Sequence, residues 1–141
     1  MIKRIAHIGI AVKNLGLSQE LFSKLLGNDF PHTEKVEEQK AMVSFYPVGE
    51  SSIELIETMV PAEDGSFIAT FIDKRGEGIH HICLEVDDIG KEMQRLKKLG
   101  FQFVSDTPSS GGKGCLVAFI HPRSANGVLI ELSQQIESKN A

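Results

Sequence analysis

The sequence predicts an α+β fold of two βαβββ modules in pseudo-twofold arrangement, and three matched segments carry that prediction. First, Ile5-Ala-His-Ile-Gly-Ile-Ala-Val12 repeats as Ile79-His-His-Ile-Cys-Leu-Glu-Val86, which places His7 on His81, Ile8 on Ile82 and Val12 on Val86. Second, the helix that follows ends alike in both copies, at Leu26-Gly27 and at Leu99-Gly100. Third, each copy closes on a matching strand, Ile53-Glu54-Leu55 and Ile130-Glu131-Leu132. Self-similarity over half a chain is the mark of a duplicated supersecondary unit. The modules occupy 1–60 and 79–135, joined by a linker helix over 61–78, within one domain spanning 1–141.

Within the first module Val12 ends a strand, and Asn14 can cap a helix whose apolar positions Leu21, Phe22, Leu25 and Leu26 recur at helical spacing until Gly27 stops it. The second module repeats this order. Asp88 caps, Ile89, Met93, Leu96 and Leu99 form one stripe, Lys97 and Lys98 suit the negative end of the helix, and Gly100 terminates it. Alternating runs then predict three strands per module: Phe30 to Val36, Ala41 to Tyr46 and Ser51 to Glu57, and Phe101 to Asp106, Cys115 to Ile120 and Val128 to Ser133. Between the modules, Phe67, Ile68, Phe71 and Ile72 have helical spacing. The stretch from Pro108 to Gly114 is too glycine-rich for regular structure and has the length of a binding loop or lid. The polar tail after Gln134 is expected to fray.

Composition narrows the partners. Hydrophobic residues make up 41% and charged residues 24% of the 141, an ordinary globular balance that folds without staples. Fifteen Lys and Arg against 19 Asp and Glu give a net charge of -4, which excludes a nonspecific nucleic-acid binder or a cationic membrane-surface protein. Cys83 and Cys115 are too few for a disulfide framework. The apolar run from Ile5 to Val12 is too short to span a bilayer and has no cleavage site after it, so a cytoplasmic protein is expected. Exposed strand edges predict cover by a closed twofold pair, a homodimer.

Alternation along the strands sorts the chemistry onto one face. His7, Gly9 and Ala11 oppose the apolar Ile8, Ile10 and Val12, and His81, Cys83 and Glu85 oppose Ile82, Leu84 and Val86. Glu54 and Glu131 likewise turn away from the apolar residues of the closing strands. If the first and last strands of each module are neighbours, His7, Glu54, His81 and Glu131 converge in a cleft between curved sheets. Imidazole with carboxylate suits a divalent cation such as Mn, Co, Ni, Fe or Zn, and a cation removes the conflict of carboxylates in an apolar interior. The competing reading for a lone strand histidine is a hydrogen-bonded structural residue; four positions matched by the repeat favour the metal. His80 reads as structural, and His32 and His121, without twins, as surface or supporting residues.

On these residues the chain resembles the vicinal oxygen chelate superfamily, which includes glyoxalase I, extradiol dioxygenases and fosfomycin-resistance proteins. The segments His7 to Val12, Lys74 to Ile82, Glu85 to Ile89, Phe119-Ile-His-Pro122 and Gly127 to Leu132 are similar to the methylmalonyl-CoA epimerase family within it, over nearly the whole chain. The resemblance implies interconversion of the (2R) and (2S) forms of methylmalonyl-CoA on the propionate-to-succinate route, with cobalt or manganese favoured. By position His7 and His81 match the metal-binding histidines, and Glu131 the metal-binding carboxylate with acid–base work. Glu54 stands where some members have Gln. Certain members also carry a second candidate base on the strand that is Ala41 to Tyr46 here, a stretch without a carboxylate.

The expected chemistry is proton removal and return at a carbon between a thioester and a carboxylate, through an enolate. Positioned acid–base catalysis supplies about 10² to 10⁴ in rate, so most of the barrier reduction must come from stabilising the enolate charge, the task a metal performs. Glu131 is one expected proton carrier; Glu54, Glu85 or a residue after Glu37 is the other, in that order. Lys113, Lys74 or Arg75 would meet the CoA phosphates. A glyoxalase I-like lyase, a ring-cleaving dioxygenase and a metal-free small-molecule binding protein of the same fold are the competing readings. Metal content of the purified chain separates the last from the others.

Overall fold

A computed structural model describes residues 1–136. The chain divides into two compact units, His7–His80, and Met1–Ala6 with His81–Ala141. The elements are β1 (Ile2–Ala11), α1 (Leu15–Leu26), β2 (His32–Val36), β3 (Ala41–Val48), β4 (Ser51–Thr58), α2 (Phe67–Arg75), β5 (Gly78–Val86), α3 (Ile89–Lys98), β6 (Ser109–Ser110), β7 (Cys115–Ile120) and β8 (Ile130–Gln135). No described helix is long and apolar enough to cross a membrane.

In the unit His7–His80 the strands lie in the order β2-β3-β4-β1. The β2–β3 and β3–β4 pairs are antiparallel, and β4 returns parallel to β1. The Asn14 side chain accepts from the Leu17 amide to open α1, and Gly27, in the left-handed conformation at φ 66°, closes it. Helix α1 covers one sheet face through Leu15, Phe22 and Leu26, which pack with Val12, Tyr46 and Leu55. Beneath it a polar seam joins Gln19, Thr33 and Ser44, and Ser23 lies 3.0 Å from the Tyr46 hydroxyl. The opposite face carries Ala11, Ala41, Val43 and Ile56, covered by Ile68, Phe71 and Ile72 of α2. Ser66 caps α2 by accepting from the Ala69 amide.

The second unit repeats the plan with strand order β5-β8-β7-β6, β8 lying parallel to β5. Asp88 caps α3, which lays Ile89, Met93 and Leu96 on Val86, Ala118 and Leu132. Residues Met1–Ala6 belong to this unit. The Met1 amino group lies 2.6 Å from Asp87 and 2.7 Å from Glu92, and Arg95 pairs with Glu92 at 2.8 Å. The amino group first and then the guanidinium hold the Glu92 carboxyl below the usual carboxylate range.

Three local expectations are corrected. Phe101 to Asp106 forms no strand: Phe103 makes a single bridge to Ile120, and the chain leaves the ladder before Pro108, which has no amide to donate. The strand that pairs with β7 is β6, inside the segment expected to be irregular, and 112–114 form a 3-10 turn. Glycine there serves a close approach, because a Cβ on Gly111 would meet Val117 Cγ1 at 2.7 Å. Finally, Leu21, Leu25 and Leu99 are exposed, since each helix buries only a narrow stripe. Gln135 closes β8, and residues 137–141 of the tail expected to fray lie outside the described residues.

Candidate metal and acid–base site

Each unit joins one imidazole to one carboxylate on the sheet face opposite its N-terminal helix. In His7–His80, parallel pairing of β1 and β4 sets His7 across from Ser52 and Gly9 across from Glu54. His7 Nδ1 lies 2.6 Å from Glu54 Oε2, with the side chains 18% and 13% exposed. Gly9, the residue across from Glu54 in β1, puts no side chain beside the carboxylate.

In the second unit Cys83 takes the position of Gly9, across from Glu131. His81 Nε2 lies 3.2 Å from Glu131 Oε1, and both side chains are only 5% exposed. The Cys83 thiol is fully buried and within 4.8 Å of the Glu131 carboxylate. Each carboxylate also faces a phenyl ring: Phe45 stands across from Glu54 in the β3–β4 ladder, and Phe119 across from Glu131 in β7–β8. Phe119 presents its ring at 85° to His81, with centroids 6.4 Å apart. Sequence reasoning missed both phenylalanines. The signal was present, because the spacing that separates His7 from His81 also separates Phe45 from Phe119.

The remaining candidates have other engagements. Both oxygens of Glu85 face Arg4, which donates Nε to Oε2 at 3.1 Å and Nη2 to Oε1 at 3.4 Å. Glu37 is exposed and pairs with Lys35 at 3.1 Å. His80 stacks edge-on against Phe71, His32 lies 2.8 Å from Glu34, and His121 Nδ1 accepts from the Arg123 amide. Arg75 rests over the Phe71 ring and Lys74 is exposed, while the Lys113 side chain lies outside the described set.

The donors fit a first-row divalent ion. Nitrogen and oxygen ligands sit at about 2.0 to 2.2 Å from such an ion, so adjacent ligand atoms are separated by about 3.0 to 3.5 Å. His81 and Glu131, at 3.2 Å, already have that spacing. The 2.6 Å contact of His7 with Glu54 is a hydrogen-bond length. With its proton on Nδ1, facing the carboxylate, His7 presents the Nε2 lone pair, the arrangement by which carboxylates orient metal-binding histidines.

Residues 6–119 match the model of the Glyoxalase/Bleomycin resistance protein/Dioxygenase superfamily, and the chain belongs to that family. The uncharacterized protein YqjC of Bacillus subtilis is 38% identical over 94% of this chain and 93% of its own length. The ethylmalonyl-CoA/methylmalonyl-CoA epimerase of Cereibacter sphaeroides is 37% identical over 95% of this chain and 99% of its own. The crystal structure of methylmalonyl-CoA epimerase from Mycobacterium tuberculosis superimposes with a TM-score of 0.85 at 31% identity, covering 96% of this chain and 90% of that one. The superfamily implied by the resemblance is therefore the one found.

Proposed function

We propose that this protein is an isomerase that interconverts (2R)- and (2S)-methylmalonyl-CoA by metal-assisted proton transfer at C2. The observation that carries the reading is the matched pair of imidazole–carboxylate contacts, His7 with Glu54 and His81 with Glu131. The similarity to epimerases of substituted malonyl-CoA thioesters supports the substrate class.

His7, His81 and Glu131 would hold one divalent ion, Co or Mn by preference, and Glu54, the fourth residue of the set, meets His7 through Oε2 and keeps Oε1 for a proton. When bound, the ion supplies positive charge toward the oxygens of the substrate, where enolate charge develops. Glu131 takes the C2 proton as the electron pair of the C–H bond moves toward the thioester carbonyl. A proton held on the other carrier, Glu54, is delivered to the opposite face of C2, and the C–H bond re-forms with inverted configuration. One carrier ends protonated and the other ionised, so both must exchange with water before the next turnover. Phe45 and Phe119, across from the two carriers, limit water beside them. Exclusion of water strengthens the electrostatic contacts and slows loss of the abstracted proton.

The test follows C2 proton exchange of methylmalonyl-CoA in deuterated water, with and without chelator. Chelator-sensitive exchange is expected. Full exchange in the metal-free protein, or in both Glu131→Gln and Glu54→Gln, overturns the assignment.

A further inference from the structure

The two units differ at one place in their donor rows. His7 and Gly9 along β1 match His81 and Cys83 along β5, so the first unit has a bare backbone where the second has a thiol. Cys83 is fully buried, yet it packs in none of the apolar clusters among the described residues, unlike Leu84 and Val86 of the same strand. A buried cysteine ordinarily serves as a small apolar filler. This one stands in register with Glu131 across the parallel β5–β8 pair, its sulfur within 4.8 Å of the carboxylate. His81, two residues back and therefore on the same face of β5, reaches Glu131 Oε1 through Nε2 at 3.2 Å.

Sulfur, nitrogen and oxygen from this one unit make a softer donor set than imidazole with carboxylate alone. Thiolate selects zinc, and its heavier congener cadmium more strongly, over ions content with nitrogen and oxygen. Around zinc, a sulfur at about 2.3 Å and an oxygen at about 2.1 Å stand about 3.6 Å apart in tetrahedral geometry. The imidazole and carboxylate already have nearly that spacing, and the thiol reaches it by an adjustment of about 1 Å at most. On capture the S–H bond breaks, a sulfur–metal bond forms, and the proton passes to water.

We propose that Cys83, His81 and Glu131 form a capture site for a thiophilic divalent cation, zinc or cadmium, which competes with the ion of the proposed reaction for the same imidazole and carboxylate. The thiolate takes a coordination position that substrate oxygens need open, so the captured ion inhibits. This inference rests on the metal reading of His81 and Glu131 given above. Titration of the metal-free whole chain with cadmium tests it, read by the ultraviolet thiolate-to-cadmium charge-transfer band. The band should saturate at a single ion per chain in the wild type and in Cys115→Ala, and be absent in Cys83→Ala. Cys83→Ala should lose cadmium affinity by about 100-fold or more while holding manganese within about threefold. No band in the wild type, a band that survives in Cys83→Ala, or one that vanishes in Cys115→Ala would overturn the proposal. Manganese bound by a wild type that shows no band strikes this inference alone, whereas a chain that binds neither ion overturns the metal-assisted reaction as well.

Discussion

Cys83 lies in register with Glu131 across the parallel β5–β8 pair, its buried thiol within 4.8 Å of the carboxylate. Its counterpart in the other unit is Gly9, which offers no side chain at all. A side chain thus stands beside Glu131 on the first strand of its unit, and none beside Glu54.

Enlarging residue 83 should therefore disturb Glu131 before it disturbs the fold. Cys83→Leu is expected to cost about 1 to 3 kcal/mol of stability from overpacking and to weaken Co binding by at least about tenfold, while Cys83→Ala retains binding within about threefold. Calorimetric titration with Co and thermal melting check both. Equal Co affinity in Cys83→Leu and wild type would detach this position from the site.

Gly111→Ala should destabilise the second unit by about 1 to 3 kcal/mol, because the added Cβ meets a stiff β-branched neighbour at 2.7 Å. The backbone at Gly111 has φ -98°, open to any residue, so the penalty is steric alone. Val117→Ala in the same chain should recover most of the loss. Denaturant unfolding of the single and double variants measures the coupling, and additive effects would contradict it.

Glu92 supplies a pH dependence. Its folded pKa is depressed by the Met1 amino group and by Arg95. The stabilisation is accordingly present above the unfolded carboxylate pKa of about 4.3 and is lost as pH falls through the lower folded value. Both partners are substantially exposed, so solvent screening limits Glu92→Gln to a loss of about 1 to 2 kcal/mol at neutral pH. The gap to wild type should narrow as pH drops below about 4. Thermal melts across that range report it, and a gap that widens in acid would exclude the ion pairs as its origin.

Much of this was legible in the chain itself. A period of two along a strand fixes which residues share a face, so His7 with Gly9, and His81 with Cys83, could be placed without coordinates. Duplication then raised four scattered side chains to two equivalent pairs. Cross-strand facts were harder to read. Phe119 meets Glu131 only through the β7–β8 register, which depends on the turn between those strands, and alternation within one strand carries no trace of it. Leu21 and Leu25 were misjudged for a related reason: helical spacing identifies a stripe but does not say whether that stripe meets a sheet or water. Pro108 and the glycines after it hid β6, whose two residues are too few to show a periodicity.

In both units the strand made first is hydrogen-bonded to the strand made last. Neither histidine can meet its acidic neighbour until the concluding segment of its own copy has emerged, since Glu54 and Glu131 belong to those segments. Assembly of each donor pair thus reports that its copy has been completed, and a product truncated ahead of either concluding segment would lack that pair however well the preceding helix had formed.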